Sequence, residues 1–297
     1  MYLIILLQFI LASSFVITKA LLSIVPPFLL VGLRMSLGGS ILLLYTFIFN
    51  RSAFYISKRN IIPLLSAALF GVFITNGLEA WGLQATVSAK AYFIYNLGPF
   101  FAALLGYLFF HEKMTRNKWI GLTVGFFGFF PLIFNDLQTQ HALLNSLPEL
   151  ALLISSAATI GGWISKKKLI FFQHYAVTMT NGVTMLAGGL CSLVISLFME
   201  TYNWSIIANS SLVHMLLPLN ILLTCLLGYN LYGWLLKRYS ATYTALAGFL
   251  GTLFTGLLGL IFLHESVTWE FWVSFIIVAF GVGIFHQEEE KRIRNEN

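Results

Sequence analysis

Long apolar runs broken by short polar segments dominate this chain of 297 residues. A helix needs roughly 20 mostly apolar residues to cross a bilayer. Residues 2–22, 27–49, 61–83, 89–110, 119–134, 148–165, 175–199, 212–236, 241–263 and 269–286 reach or approach that length. The runs at 119–134 and 269–286 are the shortest, which suits helices at the periphery or in a locally thinned bilayer. The pattern predicts an all-α membrane protein of ten transmembrane helices with brief connections and no inserted soluble domain. The first run has no Lys or Arg ahead of it and is too long for a signal peptide's apolar core. It ends in a poor cleavage sequence, Ile17-Thr18-Lys19-Ala20, so we read it as a retained helix.

The pattern is written twice. A constant shift of 153 positions lays residues 76–128 on 229–281 without a gap. Trp81 falls on Trp234, Leu97-Gly98 on Leu250-Gly251, Phe101 on Phe254, and Leu104-Leu105-Gly106 on Leu257-Leu258-Gly259. Further on, His111-Glu112 falls on His264-Glu265, Thr115 on Thr268, Trp119 on Trp272, and Phe127-Gly128 on Phe280-Gly281. Five helices per copy is an odd number, so the second copy is inverted in the bilayer relative to the first. The expected organisation is a 5+5 inverted repeat, 1–134 and 148–286, followed by a cytoplasmic tail at 287–297. In membrane proteins such a duplication builds inward- and outward-open states around one central site.

Composition agrees: 58% of residues are apolar and only 9% charged, against about a quarter charged in soluble domains. The net charge of +6 does not point to nucleic acid, because the basic residues punctuate apolar runs and form no stripe. Fourteen of the seventeen fall on one set of loops or the tail. They are Arg51, Lys58, Arg59, Lys113, Arg116, Lys118, Lys166, Lys167, Lys168, Lys237, Arg238, Lys291, Arg292 and Arg294. The positive-inside bias then places both termini in the cytoplasm. Cys191 and Cys225 lie inside apolar runs and read as packing residues.

Lys19, Arg34, Lys90 and Glu79 are the charges within predicted spans or at their ends. A charge at bilayer depth costs at least about 3 kcal/mol, so each should face a cavity, a partner or the headgroups. Lys19 and Lys90 can snorkel to the surface. Arg34 can hold a carboxylate in its donor fork, and Glu79 can carry a proton or receive an ammonium group. The alternative is a structural Glu79–Arg34 pair. Polar and aromatic residues midway along the helices add Asn76, Trp81, Tyr92, Tyr95, Asn96, Trp163, Tyr229, Asn230 and Tyr232. Singly these read as packing or interface-belt residues; together they suggest the walls of a substrate cavity. The repeat sets Tyr229 opposite Asn76 and Tyr232 opposite Glu79, so the two walls differ.

Pro99 frees a carbonyl one turn back, near Tyr95, and makes a kink that can serve as a hinge or only as packing. The two His-Glu pairs lack a second histidine for a zinc site. They read as turns, with Thr115 and Thr268 capping the helices that follow. No cofactor or metal site is expected, and no phosphate loop for ATP is present. Gly121-x-x-x-Gly125, Gly281 and Gly283 permit close helix contact, within the chain or at a dimer seam.

Asn96-Leu97-Gly98-Pro99, the segment from Leu108 to Thr115, Trp119-Ile120-Gly121-Leu122 and their second copy from Ala245 to Gly283 resemble the drug/metabolite transporter superfamily. More narrowly, they resemble its ten-helix EamA-like branch. Phe15 to Lys19 and Leu33-Arg34 extend the likeness over nearly the whole chain. The resemblance implies secondary transport of a small organic solute across the cytoplasmic (inner) membrane by alternating access. Helices one to four and six to nine would surround the cavity, and helices five and ten would lie outside it, where a homodimer could form. Small four-helix relatives carry a central carboxylate in the first helix. Here that helix offers Gln8, Ser13, Ser14 and Thr18 instead. Members carry amino acids, sugars, nucleoside-like metabolites and S-adenosylmethionine. Arg34, Glu79 and the aromatic walls fit an amino-acid-like solute with a ring or nucleoside, S-adenosylmethionine being one. Export of amino acids or drugs is the alternative. A membrane-embedded enzyme fits less well, for want of clustered His, Asp or Glu at one membrane surface.

Overall fold

The computed structural model describes residues 2–54, 56–96, 98, 115–128, 130, 131, 147–235, 247–265 and 269–296. Among these the chain is helical, with α1 at Tyr2–Leu21, α2 at Pro27–Phe49, α3 at Lys58–Ala85, α4 at Ser88–Tyr95 and α5 at Arg116–Phe127. The second half forms α6 at Leu147–Phe172, α7 at Val177–Met199, α8 at Ser211–Leu235, α9 at Gly248–Leu263 and α10 at Trp269–Glu296. Helices α1, α2, α3, α6, α7 and α8 are long and apolar enough to cross a membrane; α9 and the Trp272–Gly281 part of α10 are shorter apolar segments. The first His-Glu pair, Leu97, Pro99, Lys113, Lys237, Arg238 and Thr268 lie outside the described residues.

The distribution of side chains is that of a protein in lipid. Ile48, Phe49, Ile62, Leu197, Phe198 and Phe280 stand exposed, while Gln8, Thr18, Arg34, Asn76, Asn181, Thr184 and Asn220 are buried. An apolar outer face is stable only against hydrocarbon, and buried polar groups there must satisfy one another.

Helices α2 and α7 form the central crossing. A methyl built on Gly32 would meet Leu193, one on Gly189 would meet Ser36, one on Gly39 would meet Leu186, and one on Gly182 would meet Leu43. One number rises as the other falls, so the helices run antiparallel. The pairs 32–193 and 36–189 become 182–43 and 186–39 when 150 is added to one residue and taken from the other. Each helix thus offers its partner the same face. Small residues in this register let the two backbones touch without side chains between them.

Helices α3 and α8 each contain a π-helical stretch, Leu69–Ile74 and Ile221–Gly228. These segments correspond under the 153-residue shift, and each ends just before the polar turn that follows. A π stretch inserts an extra residue per turn and rotates everything after it.

Helix ends are sealed by side chains from distant parts of the chain. Glu200 accepts the free N–H groups of Phe28 (2.8 Å) and Leu29 (2.9 Å) at the start of α2. Glu265 takes the Ser88 N–H (3.1 Å) and hydroxyl (2.9 Å) at the start of α4. The second His-Glu pair is therefore more than a turn: His264, at φ 53°, ends α9, and Glu265 caps a helix of the other half. Thr115 caps α5 through the Lys118 N–H at 3.4 Å. Lys19 does not snorkel. Its ammonium donates to the carbonyls of Leu83 (2.7 Å), Gln84 (3.1 Å) and Thr86 (2.9 Å), where the dipole of α3 is negative. Lys90 likewise pairs with Glu149 at 2.8 Å.

Two boundaries differ from expectation. Helix α6 runs on to Phe172, so Lys166 belongs to the bundle and is only 1% exposed, not a loop lysine. The tail beyond residue 286 is a continuation of α10, and Asn117 at the start of α5 donates to Glu288 at 3.1 Å. Gly281 packs against the backbone of Gly121 and Gly125, which assigns that glycine face to contact within the chain.

Candidate functional site

The interior polar groups assemble around two cations. Arg34, 2% exposed, donates from Nη1 to Thr18 Oγ1 (2.9 Å) and Asn220 Oδ1 (3.1 Å), and from Nη2 to Asn76 Oδ1 (3.0 Å). Asn220 returns a bond to the Ser14 carbonyl at 2.9 Å, and the Ser14 and Thr224 hydroxyls bond to each other. Asn76 also donates to the Tyr229 hydroxyl at 3.1 Å. One network thus ties α1, α2, α3 and α8 together. Both terminal nitrogens of Arg34 have neutral oxygen acceptors, so the fork expected to hold a carboxylate is already partly occupied. Among the described residues its Nε has no hydrogen-bond partner.

Glu79 lies on α3 one turn beyond Asn76. It is 9% exposed and, among the described residues, makes no hydrogen bond or ion pair, so the structural Glu79–Arg34 pair is not formed. Its carboxylate lies within electrostatic reach of Arg34, Tyr92, Tyr95 and Tyr229. An enclosed acid without a protein partner is a group set to receive something.

The second cation is Lys166. It donates to Asn181 Oδ1 at 3.2 Å, and its Nζ lies 4.7 Å from the Tyr229 ring centroid and 5.1 Å from that of Trp163. Trp163 stacks on Tyr229 (6.2 Å) and lies against Tyr232 (3.8 Å). Asn230 accepts from Asn181 at 3.1 Å and donates to the Leu226 carbonyl at 2.9 Å. Tyr229 joins the two centres, its ring under Lys166 and its hydroxyl on Asn76. Trp163, Tyr229 and Tyr232 are deep in the bundle yet keep accessible surface, as does Tyr95.

Helix α4 supplies the remaining wall. Tyr95 receives the Thr159 hydroxyl at 3.3 Å, and its carbonyl accepts from Ser156 Oγ at 2.7 Å. This is the carbonyl that Pro99 was expected to free, and α6 takes it up. Tyr92 stands edge-on to Phe15 at 4.8 Å, with its hydroxyl over Gly251. Asn96 donates to the Tyr92 carbonyl (2.8 Å) and to Thr252 (3.4 Å).

Ten of the eleven residues singled out from the sequence therefore lie in or beside this interior. Trp81 does not: it is 38% exposed, and its repeat mate Trp234 is turned out similarly. At 100° per residue, two positions beyond an inward Glu79 or Tyr232 point almost directly away. Sequence reasoning missed Lys166, Asn181 and Asn220. The position of Lys166 three residues after Trp163, on the same helical face, was the available signal.

A bundle with a lipid-facing exterior, buried cations and an unpaired acid among aromatic rings has the design of a multi-pass membrane carrier for small molecules. The profile of the EamA-like transporter family matches residues 1–134 and 147–286, and the chain belongs to that family. A protein of Chlamydia muridarum (strain MoPn / Nigg), named S-adenosylmethionine/S-adenosylhomocysteine transporter, is 30% identical over 97% of this chain and 92% of its own length. A protein of the same name from Chlamydia trachomatis serovar D is 29% identical over 97% of this chain and 89% of its own. An uncharacterised transporter of Bacillus subtilis (strain 168) is 26% identical over 87% and 86%. A crystal structure at 17% identity superposes with a TM-score of 0.71, covering 98% of this chain and 96% of that one, and shares the fold.

Proposed function

We propose that this chain is a secondary transporter that carries S-adenosylmethionine and S-adenosylhomocysteine across the cytoplasmic membrane by alternating access. The observation that carries this reading is the likeness, along almost the full chain, to carriers of that name. The interior fits the solute. Adenine finds flat aromatic faces at Tyr95, Trp163, Tyr229 and Tyr232, and the positive sulfonium and ammonium groups find Glu79 and the ring faces. In this reading Arg34 and Asn76 shape the chamber, while Tyr92, Asn96 and Asn230 hold its walls.

The self-matching α2–α7 crossing and the paired π stretches support an architecture of ten spans in two inverted halves, 1–134 and 148–286. Both termini would be cytoplasmic. A homodimer would pair the outer faces of α5 and α10, since their glycine faces meet each other. The test is uptake of labelled S-adenosylmethionine into vesicles containing the purified full-length protein, set beside product analysis. Uptake with no chemical change is expected. Absence of uptake, or release of a reaction product, would overturn the reading.

A further inference from the structure

Among the described residues, the polar interior around Tyr229 holds the cations Arg34 and Lys166 and the acid Glu79, which makes no hydrogen bond or ion pair there. Arg34 has three side-chain oxygens around it. Lys166 is 1% exposed, yet among the described residues it has a single amide oxygen, two ring faces and no carboxylate. An ammonium has three donors, and an enclosed cation without an anion remains incompletely compensated. The rings that cover it, Trp163 and Tyr229, are the ones that keep accessible surface.

We propose that Lys166 is the specificity residue that receives the carboxylate of a zwitterionic substrate, exchanging one of its ring contacts for that carboxylate. This inference rests on the transport reading above. It gives the substrate a fixed direction, with its carboxylate toward Lys166 and its sulfonium toward Glu79. It also explains why Asn181 is held by two further bonds, to the Tyr229 carbonyl (3.2 Å) and to Asn230 (3.1 Å). The amide keeps Lys166 aimed while the rings move.

The experiment compares unlabelled S-adenosylmethionine with the analogue lacking only the carboxylate, S-adenosyl-3-methylthiopropylamine, as competitors of labelled S-adenosylmethionine uptake in vesicles. Wild-type protein should favour the carboxylate-bearing compound by about tenfold or more, the scale of one charge-assisted contact. Lys166→Met should bring the two within about twofold of each other by removing that contact, while Lys166→Arg should keep the preference. Trp163 fluorescence, taken as the difference from Trp163→Phe protein, gives a second readout, changing with S-adenosylmethionine and much less with the analogue when Lys166 is present. A Lys166→Met protein that still discriminates, or a wild type that ignores the carboxylate in both readouts, overturns the inference and leaves the substrate reading standing. A wild type that takes up no S-adenosylmethionine overturns both.

Discussion

The two halves of this protein solve one problem, an enclosed cation, in opposite ways. In the first half, Arg34 on α2 is wrapped by oxygens from α1, α3 and α8. In the second half, the position matching Arg34 across the α2–α7 crossing is Thr184, which turns back to the carbonyls of Thr180 (2.9 Å) and Asn181 (3.2 Å). The cation comes instead from α6, as Lys166, and its neighbours are ring faces and one amide. A guanidinium with an oxygen acceptor on each terminal nitrogen braces the helices around it, whereas the ammonium is covered by rings. Across the matching faces of α2 and α7 the surroundings of the two cations therefore differ, side-chain oxygens around Arg34 and ring faces around Lys166.

The largest effect is expected at the guanidinium. Arg34→Met removes the charged donor that Thr18, Asn76 and Asn220 share, and should lower stability by about 3 kcal/mol. Thermal unfolding in detergent measures this, and an unshifted Tm would show that Arg34 is no brace. Glu79→Gln removes the acid but keeps its shape. It should reduce S-adenosylmethionine uptake by about 30-fold, the worth of roughly 2 kcal/mol, with little change in Tm. Uptake at the normal rate would remove Glu79 from the site.

Those matching faces give the next test. Gly39→Leu and Gly189→Leu overpack equivalent points of the α2–α7 crossing and should each cost about 1.5 kcal/mol. Clearly unequal losses of Tm would break the equivalence of the halves. At the periphery, Glu265→Ala uncaps α4 and should cost about 1 kcal/mol, read as a smaller shift in Tm.

The smallest effect lies in the tail. The Asn117 amide, helped by the Thr115 hydroxyl and by Lys291 and Lys118, holds the Glu288 carboxyl below the usual carboxylate range. A depressed acid stabilises the docked tail above its ordinary pKa, and that contribution fades as pH falls through the lowered value. Hydrogen-exchange protection across residues 287–296, corrected for the intrinsic pH dependence of amide exchange, should therefore fall modestly in acid. Glu288→Gln should abolish that pH dependence.

Much of the architecture was legible in one dimension. The apolar runs anticipated the six helices long enough to cross a membrane, with α6 extending well past its expected end, and the 153-residue repeat could be read directly from the sequence. Family likeness followed from His-Glu, glycine and tryptophan positions that no common composition explains. Spacing also brought Arg34, Asn76, Glu79, Tyr229 and Tyr232 to notice, because polar groups in an apolar helix stand out whatever surrounds them.

What the chain could not disclose by pattern was the direction each residue faces. Phase along α3 and α8 is reset by their π stretches, so Glu79 turns inward and Trp81 outward only once those extra residues are in place. Lys166 looked like loop punctuation because Lys167 and Lys168 follow it. Its burial depends on Trp163 beside it, Asn181 on α7 and Tyr229 on α8, contacts that exist only after three helices have packed. Hydrophobicity is a property of each segment alone and survives in the linear order. Pairing of buried charges is a property of neighbours, and only the tertiary structure chooses those.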